Sequence, residues 1–136
     1  MAGIVVKFEK GRITHTAEKA IVGGQVVEPG VKARSAVPAA ADSEKVLGVA
    51  LADAAPKGNP VPGLLYVGTD KVTIASAPAV VPIKSDGSAK AGDLVVADAA
   101  GAVKKAGEDS TIAQIVGRVI EVNADADKTV LVRLGG

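Results

Sequence analysis

Short β-branched runs alternate along the chain with clusters of glycine, proline, serine and acidic residues, the pattern of many brief strands separated by turns. Val and Ile are stiff at χ1 and suit a pleated surface, so the runs predict strands over residues 4–8, 13–16, 25–27, 31–33, 46–51, 64–67, 72–77, 80–83, 94–96, 103–105, 115–122 and 129–134. The breaks between them are specific: Glu28-Pro29-Gly30, Ser85-Asp86-Gly87, Ala100-Gly101 and the polar run at 123–127. Residues 52–63 carry Pro56, Pro60 and Pro62, which cannot donate to a ladder, and predict an extended loop. Ala-rich residues 36–44 predict at most one short helical turn, capped by Asp42 or Ser43 and kept short by Pro38. The expected fold class is therefore all-β, a small barrel or sandwich.

Comparing the chain with itself sharpens this expectation. Gly24-Gln25-Val26-Val27 followed by Val31-Lys32-Ala33 returns as Gly92-Asp93-Leu94-Val95 followed by Val103-Lys104-Lys105. Val46-Leu47-Gly48-Val49 returns as Ile115-Val116-Gly117-Arg118, and Ile4-Val5-Val6 lies 68 positions before Val72-Thr73-Ile74. The glycine pairs Gly24/Gly92 and Gly48/Gly117 are 68 and 69 positions apart, about half the chain. These repeats predict a single β domain over 1–136 built from two similar units, about 1–68 and 69–136, within one closed or nearly closed barrel. Gly48 and Gly117 each interrupt an apolar run, which weakens a strand unless a bulge, a corner or a close backbone approach needs the missing side chain. All four glycines are accordingly expected to be structural.

Composition narrows the function. Phe8 and Tyr66 are the only aromatics, so the 48% apolar content is nearly all small and aliphatic. Sixteen basic and fifteen acidic residues leave a formal charge of +1, too balanced for an electrostatic hold on nucleic acid, and stacking platforms for single strands are missing. There is no cysteine for a disulfide or a thiolate metal site. The apolar run at the start stops at Lys7, too short for a secretory leader, and no apolar run reaches membrane-spanning length.

Chemistry-bearing patterns are sparse. His15, the single histidine, lies between Thr14 and Thr16, which reads as a polar strand position; no serine has a nucleophile elbow around it. One histidine cannot supply a zinc site. Asn123, Asp125 and Asp127 lack the glycine and the bidentate glutamate of a calcium loop and read as a solvated turn. No phosphate-binding glycine motif precedes a helix. Lys128 lies between Asp127 and Thr129, a poor fit to the modified lysine of biotinyl or lipoyl carrier domains. No cofactor, metal or catalytic residue is expected.

The order Gly92-Asp93-Leu94-Val95-Val96-Ala97-Asp98, Gly101-Ala102-Val103, Ile115-Val116-Gly117-Arg118-Val119 and Val130-Leu131-Val132-Arg133-Leu134 resembles the small capsid decoration, or capsid cement, proteins of tailed bacteriophages. Val46-Leu47-Gly48-Val49-Ala50-Leu51-Ala52-Asp53-Ala54-Ala55 is similar to a stretch of the same family, and together these cover most of residues 21–134. The resemblance implies a compact β-barrel, commonly trimeric, that binds the major capsid protein on the outside of an expanded head and stabilises it, with synthesis in the host cytoplasm. It brings no catalytic residues. Ile4, Val5, Val6 and Phe8 form a segment too apolar for a free tail, and are expected to pair within the barrel or to contact the capsid. The turn Glu9-Lys10-Gly11-Arg12 and the proline-rich loop at 55–63 depart from the family pattern. The alternative is a β-domain binding module of a tail or fibre that recognises a cell surface.

Overall fold

A computed structural model describes residues 12–56, 70–123 and 128–135. Within these the strands are β1 (Arg12–Ala17), β2 (Val26–Pro29), β3 (Ser35–Pro38), β4 (Gly48–Ala50), β5 (Lys71–Ala75), β6 (Val80–Lys84), β7 (Leu94–Ala97), β8 (Val103–Lys105), β9 (Ile115–Val122) and β10 (Thr129–Leu134). Two single 3₁₀ turns, Ala99–Gly101 and Ile112–Gln114, complete the regular structure. The expected strands at 4–8 and 64–67 lie outside the described residues.

The first five strands form a closed barrel in the order β1-β3-β2-β4-β5, and the last five form a second sheet in the order β6-β10-β9-β7-β8. Read from β3 and from β8, the two sheets have the same strand order. The registers agree as well: Val27 pairs with Gly48 as Val95 pairs with Gly117, and Ile13 pairs with Ile74 as Val81 pairs with Val132. The expectation of one shared barrel is corrected by this topology, because each half closes, or nearly closes, its own sheet.

Closure is where the halves differ. In the first, β1 runs parallel to β3 through Thr16↔Ser35 and Ala17↔Ala36, and the Thr16 N–H donates to Arg34 O at 2.9 Å. In the second, a single parallel bridge joins Ser85 to Val103, with the Asp86 N–H donating to Val103 O at 3.1 Å. The 3₁₀ turn at Ala99–Gly101 draws the β7–β8 hairpin towards the first half, where the Gly101 N–H donates to Ala39 O at 3.2 Å and the Gln25 side-chain amide donates to Ala100 O at 3.0 Å. A Cβ at Gly101 would fall 2.8 Å from Gln25 Cβ, so the approach requires glycine.

Alternation along the strands builds two clusters. Ala17, Val27, Ala36, Ala50, Val72 and Ile74 point into the barrel, a narrow interior that small side chains fill. The second cluster gathers the inner face of the other sheet, including Val81, Ile83, Val95, Val119, Val130 and Val132. Val26, Val49 and Ala75, a row in register across the outside of the barrel, belong to this second cluster. The outer wall of the first half thus packs into the core of the second. Each fully buried valine contributes on the order of 1.5–3 kcal/mol relative to an exposed one.

One sequence expectation is overturned: residues 31–33 are not a strand, since Val31 is 98% exposed, in a loop that reaches φ +52° at Arg34. Residues 36–44, expected to hold at most one short helical turn, hold none, because Ser35–Pro38 is β3 itself. The physical reason is tertiary pairing, since β3 has ladder partners on both sides and this outweighs the weak strand propensity of Ser-Ala-Val-Pro. Pro38 is the last residue of β3, where the ladder has no further need of its missing donor.

Candidate functional site

His15 sits half-buried on β1 opposite Val72, its Nδ1 3.1 Å from Ile13 O, an arrangement in which the ring is held by its own strand. Among the described residues no group of three or more His, Cys, Asp or Glu side chains gathers as a metal site. A groove of about 860 Å³ lies between the halves, with Val22–Gln25 and Leu51–Asp53 on one side and Val81, Pro82 and Lys84 on the other. Two of its polar side chains are committed to the fold: Asp53 Oδ1 accepts from the Gly23 N–H at 2.8 Å, and Gln25 Oε1 accepts from the Val22 N–H at 2.9 Å. The described part of the polar run at 123–127 is Asn123, whose N–H donates to Thr129 O at 3.0 Å.

The glycines singled out in the sequence occupy matching places. Gly24 and Gly92 have φ of +92° and +93° in the turns that lead into β2 and β7. The Gly24 N–H donates to Ala50 O and the Gly92 N–H to Val119 O, each at 2.8 Å. Gly48 and Gly117 lie against a neighbouring strand's carbonyl, of Ala75 and Arg133 respectively, where an added Cβ would overlap the oxygen. Beside Gly117 the β7–β9 register shifts, Val95 pairing with Gly117 and Val96 with Ile115, so Val116 is the extra residue of a bulge.

A carboxylate that no sequence motif marked controls the β2–β3 loop. Glu18, just past β1, accepts from the Val31 N–H at 3.0 Å and the Lys32 N–H at 2.7 Å. Its pKa is lowered to about 2, by the Ser35 hydroxyl first and then by the Lys32 and Val31 N–H groups. The Ser35 hydroxyl has a single proton and also lies 2.6 Å from Lys32 O as a donor, so the two main-chain N–H groups are the firmer part of this cradle. Gly30 leaves room for it, since a Cβ there would come within 2.6 Å of Glu18 Oε1.

The remaining candidate is a surface. On the outside of the second sheet Pro82 faces Leu131 and Val80 faces Arg133, while Ile120 stands out at the bulge in β9. Arg118 lies directly opposite Arg133 and donates to Gly92 O at 2.7 Å. Sequence reasoning missed this face because only the register brings these strands side by side. The segment Ile4, Val5, Val6 and Phe8 lies outside the described residues.

Comparison with known proteins agrees with this architecture of paired β-sheets. The crystal structure of the head fiber gp8.5 N base of bacteriophage phi29 is similar in fold, with a TM-score of 0.61 and 13% identity over 91% of this chain and 92% of that one. No curated protein matches the chain. The family described as Structural cement protein (E217 gp24/Pam3 gp6) matches residues 2–135. Because that match spans nearly every residue of both halves, the chain belongs to the phage structural cement protein family, a virion component with a structural, capsid-stabilising role.

Proposed function

We propose that the protein binds the major capsid protein on the exterior of the expanded phage head, as a homotrimer, and stabilises the lattice without catalysis, cofactor, nucleic-acid or membrane binding. The observation that carries this reading is the family match over residues 2–135. Lattice physics supports it: a shell repeats its surface many times, so modest contacts multiplied by an oligomer reach high avidity. Small aliphatic side chains suit a three-fold interface because they let backbones approach closely. The two halves are read as copies of one β unit folded as a single domain, and Ile4, Val5, Val6 and Phe8 as a capsid-contact segment. The chain is made in the host cytoplasm and joins the virion during assembly. A tail or fibre module recognising a cell surface draws on fold likeness alone and is not carried further.

The test is co-sedimentation of purified protein with expanded heads that lack it. The reading expects saturable pelleting at a fixed ratio to the shell protein; protein that stays in the supernatant overturns it. Deleting residues 1–8 is expected to abolish binding or folding, and wild-type binding by the truncated chain removes the contact segment. Light scattering reporting a monomer at high concentration removes the solution trimer.

A further inference from the structure

We infer that the outer face of the second sheet, centred on Pro82 and Leu131, is the surface that docks on the shell, and that it takes an apolar patch flanked by carboxylates on the capsid protein. This rests on the capsid-binding reading above and deepens it by naming the face and the chemistry of its partner.

The chain contains its own control. The two sheets share strand order and register, so each outward position of the second has a counterpart in the first. Where the first sheet sets Thr14 opposite Thr73, the second sets Pro82 opposite Leu131. Where the first sets Lys71 beside Thr16, joined by a 2.7 Å hydrogen bond, the second sets Lys84 opposite Thr129. A sheet of this shape is therefore compatible with a water-facing surface of threonine and lysine. Val80 is nevertheless 50% exposed and Ile120 47% exposed beside the Pro82–Leu131 pair. Val80, Pro82 and Leu131 stand where the first sheet has Arg12, Thr14 and Thr73, while the counterparts of Arg118 and Arg133, Val49 and Ala75, are already covered by the second half. Apolar groups clustered where the equivalent positions are polar mark a surface that another molecule covers.

Charge identifies the kind of molecule. Arg118 and Arg133 stand directly opposite each other across β9 and β10, a like-charge arrangement that costs stability in a free sheet. Among the described residues neither forms an ion pair, and Lys84 lies two positions from Pro82 on the same face. Glu121, opposite Leu131, adds one carboxylate to this face beside the two arginines and Lys84. An isologous contact with a second copy would bring two such arginine pairs together, whereas carboxylates on a different protein would relieve the repulsion and form charge-assisted hydrogen bonds. An arginine-flanked apolar centre also has the anatomy of an interface core.

The experiment compares wild type with Leu131→Glu, Arg133→Glu and the counterpart Thr73→Glu, each checked for folding by its thermal melt, for binding to expanded heads that lack the protein. Expected is at least a tenfold loss of affinity for Leu131→Glu and for Arg133→Glu, wild-type binding for Thr73→Glu, and wild-type binding that weakens as salt rises. Should Leu131→Glu fail to fold, the exposed Arg133→Glu decides alone. Wild-type affinity in a folded Arg133→Glu overturns the inference while leaving the function intact, and so does a variant that loses self-association but still binds heads. Failure of the wild-type protein to bind heads at all instead overturns the function reading.

Discussion

A Cβ built on Gly117 would overlap the carbonyl oxygen of Arg133, and Gly48 stands in the same relation to Ala75 in the other sheet. Gly48 also has φ of +156°, where a side chain is strained. Gly48→Ala and Gly117→Ala are each expected to destabilise by about 1–3 kcal/mol, the first more than the second. Gly107, which has nothing within 4 Å, serves as the control. Thermal melts in which all three variants match wild type would show that the close approaches are not needed.

Gly24 and Gly92 test conformation separately from space. A Cβ at Gly92 would meet nothing within 4 Å, so only its φ of +93° opposes a side chain. Gly92→Asn is expected to be milder than Gly92→Val, because Asn tolerates the left-handed region and a β-branched residue does not. Equal melting temperatures for the two variants would contradict this.

Glu18 makes the β2–β3 loop sensitive to acid. Its folded pKa of about 2 lies below the ordinary 4.5, so its contribution is fully present above pH 4.5 and is lost as pH falls towards 2. Glu18→Gln is expected to flatten the stability profile over that window and to speed amide exchange at Val31 and Lys32, whose N–H groups the carboxylate holds. An unchanged acid limb in the variant would show that the carboxylate does not hold the loop.

Since the outer wall of the barrel belongs to the core of the second sheet, the halves are expected to unfold together. Val27→Ala in the barrel and Val95→Ala in the second sheet each remove about 2 kcal/mol by lost burial and cavity formation, and both are expected to lower one common transition. Gln25→Ala, which breaks the bond to Ala100, lowers the same transition by about 1 kcal/mol. Two transitions, each sensitive to mutations in one half, would contradict the single domain.

Strands whose β-branched runs end in strong turn signals were legible in sequence: Val103–Lys105, Ile115–Val122 and Thr129–Leu134 fall where the pattern places them. Ser35–Pro38 was not, because its small residues are dictated by the barrel interior that Ala36 enters and not by local preference. Its counterpart was present in the repeat. Register equates Ala36-Val37-Pro38 with Val103-Lys104-Lys105, an offset of 67, whereas composition favoured Val31-Lys32-Ala33. The Glu18 cradle has no motif, since its partners are main-chain groups 13 and 14 residues away. The docking face stayed hidden for a related reason: Val80, Pro82, Ile120 and Leu131 are unremarkable as single residues until β6, β10 and β9 lie side by side.

Stabilisation of a phage head by this protein is read from the temperature at which DNA-filled heads rupture with and without it. Heads that lack the protein, saturated by adding it back, are expected to hold their DNA to a higher temperature than undecorated heads, with the gain rising with occupancy. Fully decorated heads that release DNA at the same temperature as bare ones would show that the protein does not stabilise the shell.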